Sequence, residues 1–173
     1  MASLLLMLML SCVETPGKKD IPGTTASLHD SVIAFNREIV TSEKQEIDDY
    51  VARHRWTMTK TQTGLQFMIY RRGSGQGVPV MPSEVNIKYC VYLLNGDLVY
   101  ETDSIKGFSF ETGKRNVVSG LEEGVRLMKT GDRAKLIVPS HLAFGLLGDL
   151  AKIPARAVLV YDVELCSINP LKK

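Results

Sequence analysis

Residues 117–138 read VVSGLEEGVRLMKTGDRAKLIV, and this stretch decides the fold. Leu121, Val125 and Met128 recur at helical spacing, and the Thr-Gly pair that follows them ends the pattern. Over residues 133–138, apolar and charged side chains alternate, which is typical of a strand with one buried face. The stretch therefore predicts a short helix followed at once by a strand.

Five further stretches have the alternation or the β-rich composition of strands, and turn residues separate them. Asn95-Gly96 lies between two of them and is a strong signal for a tight hairpin. Together they predict an α+β fold, in which a twisted antiparallel β-sheet wraps around one short helix and follows an N-terminal helical segment. These additional strands are predicted at residues 65–70, 85–94, 98–101, 108–110 and 157–165.

Composition excludes several classes of function. The 173 residues are 45% hydrophobic and 23% charged with a net charge of +2, a globular mix without the basic excess of nucleic-acid-binding proteins. The glycine-rich run 73–77 has the composition of a nucleotide-binding loop, but Pro79 and Pro82 exclude the helix that such a loop requires. The three histidines stand far apart, so we expect neither a metal site nor a cofactor.

The first residues have the character of an export signal. Residues 4–10 form an unbroken apolar run of about the length of a signal-peptide core. The Ser-Cys pair that follows is similar to a bacterial lipobox, so we predict a signal peptide at 1–11 and a lipid on Cys12. Residues 12–27 are rich in Pro and Gly and predict a flexible linker. A plain secretory signal and an apolar start without function are the alternatives.

Residues 28–62 are predicted to form a helical extension. Ser42 and Gln45 fit a capping box, which predicts that a second helix begins there. One apolar stripe runs along this second helix, as expected of a helix that packs on its own domain. A dimerisation or partner-binding helix is the alternative. The stripe consists of Ile47, Tyr50, Val51 and His54.

Five motifs follow one another in the C-terminal part of the chain: 117–128, 131–139 (GDRAKLIVP), 142–145 (LAFG), Ile153-Pro154 and 160–165 (VYDVEL). In order and spacing they resemble the FKBP-type peptidyl-prolyl cis-trans isomerases, over roughly residues 83–168, and we place the isomerase domain at 63–170. Cys12 and the helix before the domain are similar to lipid-anchored bacterial members. The gliding-motility-associated lipoproteins of Bacteroidetes are the particular type they resemble.

The resemblance implies an apolar cup on the concave face of the sheet and the short helix. The catalytic set that it implies is Tyr89, Glu101, Val118 through its backbone N–H, Phe144 and Tyr161. The set that it implies for contact with the substrate is Tyr100, Phe108, Val117, Leu121 and Ile153.

Three positions depart from the family pattern. Leu121 stands where the family has the tryptophan at the floor of the cup, and Phe144 stands where it has a tyrosine whose hydroxyl binds ligand. Glu101 replaces the pocket aspartate and is one methylene longer. The spacing after Gly96 also leaves Val99 as an alternative to Tyr100. These departures bear on catalytic strength more than on the fold.

The implied function is cis–trans isomerisation of X–Pro bonds in exported polypeptides, by an enzyme tethered in the cell envelope through Cys12 and facing the periplasm. We expect a monomer or weak dimer that has no nucleic-acid partner. An envelope-tethered module that binds proline-containing segments, or a chaperone with little turnover, is the alternative function.

Cys90 and Cys166 are predicted to remain free thiols. In the family, the strands that carry Tyr89 and Tyr161 run antiparallel with both tyrosines facing the cup. If these two tyrosines are near neighbours here, the two cysteines lie some five residues out of register, which at ~3.4 Å per residue exceeds the reach of a disulfide.

Overall fold

A computed structural model describes residues 24–171. The signal peptide predicted at 1–11 and the lipidated Cys12 lie outside these residues. The helices are α1 (Thr24–His54) and α2 (Ser119–Val125), with a 3-10 turn at Ser140–Leu142. The strands are β1 (Thr59–Lys60), β2 (Gln66–Arg71), β3 (Ser83–Leu93), β4 (Leu98–Glu101), β5 (Phe108–Glu111), β6 (Arg133–Val138) and β7 (Leu159–Pro170).

The described strands form one antiparallel sheet, in the order β1-β2-β6-β7-β3-β4, with β5 paired to β3. This arrangement confirms the predicted α+β class. Strands β3 and β7 pair at the centre, where Val91 lies opposite Tyr161 and Cys90 lies opposite Asp162. Cys166 is therefore four residues further along β7 than the partner of Cys90, and both cysteines are free, as predicted.

The core lies between the concave face of the sheet and α2. Leu121 and Val125 of α2 are buried against Leu136 of β6 and Val163 of β7. Glycines allow this close approach: a Cβ at Gly124 would lie 2.4 Å from Leu136 Cδ1. The spacing of the apolar residues in 117–138 predicted this helix and strand correctly.

The N-terminal segment differs from the prediction, because α1 is one continuous helix and begins at Thr24, four residues inside the predicted linker. Ser42 lies within it, so the prediction that a second helix starts there was wrong. The side chains of the expected capping box bond along the helix instead: Ser42 Oγ donates to Glu46 and Gln45 Nε2 donates to Asp49, each one turn ahead.

The described residues divide into two compact units, between Arg37 and Glu38. In the first unit, Val32, Ile33 and Phe35 have exposed side chains. None of the helices in the described part of the chain has both the length and the apolar character needed to cross a bilayer.

In the second unit, the last turns of α1 pack on the convex face of the sheet. Ile47 and Tyr50 are 4% and 6% exposed, and they form a cluster with Ile137, Val158 and Val160. The Tyr50 ring also meets the Trp56 ring edge-on, with 5.6 Å between centroids. The predicted stripe therefore packs on its own domain, although His54 at its end is exposed.

We predict that Ile47→Ala lowers the free energy of unfolding by about 2–4 kcal/mol, because it leaves a cavity in this cluster. Denaturant unfolding measures the change. The matched control is Val40→Ala, on the same helix at a residue that is 68% exposed, which should change the value by less than about 0.5 kcal/mol. Equal effects of the two substitutions would show that the cluster does not stabilise the domain.

Candidate active site

Three of the predicted aromatic residues form a row on the concave face. The Tyr89 ring lies 5.8 Å from the Tyr161 ring and 6.0 Å from the Phe108 ring, measured between centroids. Tyr161 is nearly fully buried, Tyr89 is half-buried and Phe108 is exposed, so the row leads from the core to the surface. Burial raises the pKa of the Tyr161 hydroxyl far above its usual value, and raises that of Tyr89 as well.

The segment before α2 carries the backbone N–H of Val118. Val118 precedes the helix in an extended conformation, with φ −61° and ψ 141°. Its carbonyl oxygen accepts from the N–H groups of Leu121 and Glu122, whereas its own N–H has no acceptor in the described part of the chain. The hydroxyl of Ser119 donates to the carbonyl oxygen of Leu142 at 3.2 Å, which ties this segment to the turn at 140–142.

A cavity of about 580 Å³ opens beside this donor. Three of the predicted site residues line it: Val117, Val118 and Phe144. Phe144 is 39% exposed, while the two valines are half-buried against the core. Sequence reasoning missed the other lining residues, although the segment 115–119 surrounds the Val117-Val118 motif that pointed here. They are Arg115, Asn116, Ser119, Glu122 and Ala143.

The predicted floor lies behind the wall of this cavity. The three residues expected at the floor are almost fully buried: Leu121 and Ile153 are 3% exposed and Tyr161 is 4% exposed. They belong to the cluster on which Val118 packs, but they do not line the cavity. The apolar cluster therefore gathers seven of the ten predicted site residues, namely Tyr89, Tyr100, Val117, Val118, Leu121, Ile153 and Tyr161. Of these seven, only the two valines line the cavity, and Phe144 lines it from outside the cluster.

Tyr100 is hydrogen-bonded to the loop that carries Ile153. Its hydroxyl donates to the Asp149 carboxylate, which also accepts from the N–H groups of Ala151 and Ile153. These hydrogen bonds lower the pKa of Asp149 to about 2, and the bond from Tyr100 contributes most. Val99, the alternative to Tyr100, is buried in the core. Both residues contact the apolar cluster, and Tyr100 is the one that reaches the loop.

Glu101 does not line the cavity that Phe144 lines. Neighbouring side chains of a strand point to opposite faces, and Tyr100 occupies the position toward the cluster. Glu101 is exposed and lines a separate polar depression of about 260 Å³ with Lys88, Cys90 and Asp162, which Tyr89 also borders. The resemblance expects Glu101 at the position of the family's pocket aspartate, and in this structure Glu101 lines this depression and not the cavity beside Val118.

Glu122 and Glu123 both bond to neighbouring loops. Glu122 accepts from the N–H of Gly113 at 2.8 Å, and Glu123 accepts from the hydroxyl of Thr63 at 2.7 Å. The two carboxylates therefore position the connections around α2. Across residues 24–171, no group of three or more His, Cys, Asp or Glu side chains is placed to hold a metal ion.

A family model described as FKBP-type peptidyl-prolyl cis-trans isomerase matches residues 76–166, which is more than half of the chain. This chain belongs to that family. The match runs from before β3 into β7 and includes every residue of the predicted cup.

Curated relatives of this chain carry the family name. The chain is 32% identical over 118 residues to the FKBP-type peptidyl-prolyl cis-trans isomerase FkpA of Buchnera aphidicola, covering 65% of this chain and 44% of the relative. It is also 32% identical over 111 residues to the FKBP-type 22 kDa peptidyl-prolyl cis-trans isomerase of Escherichia coli, covering 64% and 53%. The match thus spans about half the length of these relatives.

A solved structure supports the FKBP fold. The crystal structure of a peptidyl-prolyl cis-trans isomerase from Pseudomonas syringae pv. tomato superposes with a TM-score of 0.66 and 21% sequence identity. The match covers 78% of this chain and 96% of that one.

We predict that Tyr100→Phe raises the pKa of Asp149 from about 2 toward the ordinary value near 4, because the principal hydrogen bond is removed. A carboxyl group whose pKa is lower in the folded than in the unfolded chain stabilises the fold at pH values above its unfolded-state pKa. That stabilisation is lost as the pH falls through its folded-state pKa. The loop contacts of Asp149 should therefore weaken at a higher pH in the variant.

An NMR titration of the Asp149 carboxyl carbon measures this shift. Tyr70→Phe is the matched control, since Tyr70 donates to Asp162 on the convex face instead. If the titration midpoint of Asp149 is the same in Tyr100→Phe and in the unchanged protein, the Tyr100 hydrogen bond is not what lowers its pKa.

Proposed function

We propose that this protein catalyses the cis–trans isomerisation of X–Pro peptide bonds. Membership of the FKBP-type family supports the reaction. The observation that carries it is the Val118 N–H beside the cavity, which has no acceptor among the residues that the structure describes. In this proposal the N–H binds a backbone carbonyl oxygen of the substrate other than that of the imide. Val117, Val118 and Phe144 contact the proline ring.

The chemistry requires no covalent step. Partial double-bond character gives the X–Pro bond a rotation barrier of ~18–20 kcal/mol. At the twisted transition state conjugation is lost, so the nitrogen becomes amine-like and the carbonyl ketone-like. A site that binds the twisted form more tightly than either planar form lowers the barrier, and each ~1.4 kcal/mol of preferential binding gives tenfold in rate.

The apolar wall acts by excluding water from the imide. Water hydrogen-bonds best to the oxygen of the planar amide, so its removal destabilises the planar forms more than the twisted one. A fixed N–H donor holds a backbone carbonyl of the substrate outside the imide, while the proline ring rotates against the valines. In this role Val118 contributes through its backbone, which is why the conformation before α2 matters more than the identity of its side chain.

A tethered module that binds proline-containing segments without turnover is the second candidate. The observation that favours it is the burial of Leu121, Ile153 and Tyr161 behind the cavity wall. A cavity whose wall has Phe144 as its one aromatic side chain can hold a proline ring, but it has few aromatic contacts with which to distinguish the twisted imide from the planar one.

A protease-coupled isomerisation assay on a short X–Pro peptide separates the two functions. We predict that a soluble form lacking residues 1–12 accelerates the isomerisation in proportion to protein concentration. Peptide binding without acceleration would exclude catalysis and leave the binding module. Absence of both would exclude the site.

We further predict that Phe144→Tyr lowers KM about fivefold, because its hydroxyl restores one hydrogen bond of about 1 kcal/mol to the bound peptide. The same assay measures KM. Phe35→Tyr, on α1 and outside the cavity, is the control and should leave KM unchanged. An unaltered KM in Phe144→Tyr would remove Phe144 from the cavity wall that meets substrate.

We also propose that the protein is a lipid-anchored enzyme of the bacterial cell envelope, of the gliding-motility-associated lipoprotein type, and serves exported polypeptides. The apolar run at 4–10, the Ser-Cys pair that ends it and the Pro- and Gly-containing residues after Cys12 support this location. A lipid on Cys12 would hold the catalytic domain close to a membrane surface. We propose a monomer or weak dimer.

Cys12→Ser tests the anchor. We predict that the substitution abolishes labelling by a fatty-acid analogue and moves the protein from the membrane fraction to the soluble fraction of a lipoprotein-processing host. The matched control is Cys90→Ser, which should leave both properties intact. Labelling that persists in Cys12→Ser would refute lipidation at this residue.

A further inference from the structure

Helix α1 makes one polar contact that neither the packing of its apolar stripe nor the proposed function explains. Glu43 lies one turn before Ile47, and its carboxylate accepts two hydrogen bonds from Ser140. The Ser140 backbone N–H donates to Oε1 at 3.0 Å, and the Ser140 hydroxyl donates to Oε2. Ser140 is 9% exposed and Glu43 is partly buried, so the contact is shielded from water.

Ser140 begins the turn that leads to Phe144. Its carbonyl oxygen accepts from the N–H of Ala143 at 3.0 Å and from the N–H of Gly145 at 2.9 Å. These are the two residues on either side of Phe144. The backbone that sets the position of the Phe144 ring is therefore bonded to Ser140, and Ser140 is bonded to Glu43.

Two other contacts hold the same turn from different directions. The Ser119 hydroxyl donates to the Leu142 carbonyl oxygen, and His141 Nε2 donates to the Thr63 carbonyl oxygen at 2.9 Å. Of the three, only the contact to Glu43 joins one residue to a carboxyl group through two hydrogen bonds. Two bonds to one group fix its direction as well as its distance, so Glu43 supplies the firmest of the three attachments.

We propose that Glu43 is a positioning residue of the active site, which fixes the Phe144 side of the cavity by holding Ser140. This inference rests on the proposed function, because it takes the Phe144 wall as part of the site that binds the X–Pro segment. It also assigns the middle of α1 to the catalytic unit, although the family match begins only at residue 76.

The test compares Glu43→Ala, Glu43→Gln and Ser140→Ala in the full chain. Glu43→Ala should lower kcat/KM about three- to tenfold, because a small displacement of a positioning group weakens transition-state binding. It should also speed amide hydrogen exchange at Ala143 and Gly145, since their bonds depend on Ser140. Glu43→Gln keeps an acceptor oxygen and should recover at least half of the lost kcat/KM.

Glu46→Ala is the matched control, because it removes a carboxylate from the same helix that bonds to Ser42 and not to the turn. It should leave kcat/KM and both exchange rates unchanged. The double substitution of Glu43→Ala with Ser140→Ala should lose no more kcat/KM than Glu43→Ala alone. Each assay is run well below the measured Tm of every variant, so that unfolding does not contribute.

Three results would overturn the proposal: unchanged kcat/KM in Glu43→Ala, an equal loss in Glu46→Ala, or additive losses in the double variant. If the unchanged protein has no isomerase activity, the proposed function fails on its own. In that case faster exchange at Ala143 and Gly145 in Glu43→Ala would still show that Glu43 holds the turn, and unaltered exchange would refute this as well.

Discussion

The close approach of α2 to β6 is the contact on which the rest of the site depends. Gly120 and Gly124 have no side chains to separate the helix from Val138 and Leu136, so α2 lies directly on the concave face. This contact fixes the chain just before the helix, where the Val118 N–H lies without an acceptor from residues 24–171. A bulkier residue at either glycine would push the helix and the donor before it outward, because a Cβ there would lie 2.4 Å from the buried side chain of Val138 or Leu136.

The two faces of the sheet carry different features. The concave face holds the apolar cluster and the cavity, whereas the convex face is covered partly by α1 and carries ion pairs elsewhere. Lys135 pairs with Asp162 at 2.7 Å, and Arg133 pairs with Glu164 at 2.6 Å. Because strand side chains alternate between these faces, Tyr100 and its neighbour Glu101 serve different surfaces.

Local patterns predicted most of the fold. Alternation located the long strands, the Asn-Gly pair located the hairpin between β3 and β4, and helical spacing located α2. The continuity of α1 could not be read from the Ser42–Gln45 pattern, because a Ser and a Gln three residues apart also bond well inside a helix. At the site, the family motifs identified the cavity wall. They could not place Leu121 and Tyr161 behind it, nor reveal Glu43, since these depend on packing and on contacts distant in sequence.

The most direct test of the account is two-dimensional NMR exchange on an X–Pro peptide, since it reports binding and bond rotation in one sample. With a small fraction of protein, cis and trans signals of the proline residue should show exchange cross-peaks that grow with protein concentration. At the same time, the Val118 amide signal should shift as the peptide carbonyl binds. A shift of that amide without faster cis–trans exchange would contradict the claim that this site stabilises the twisted imide.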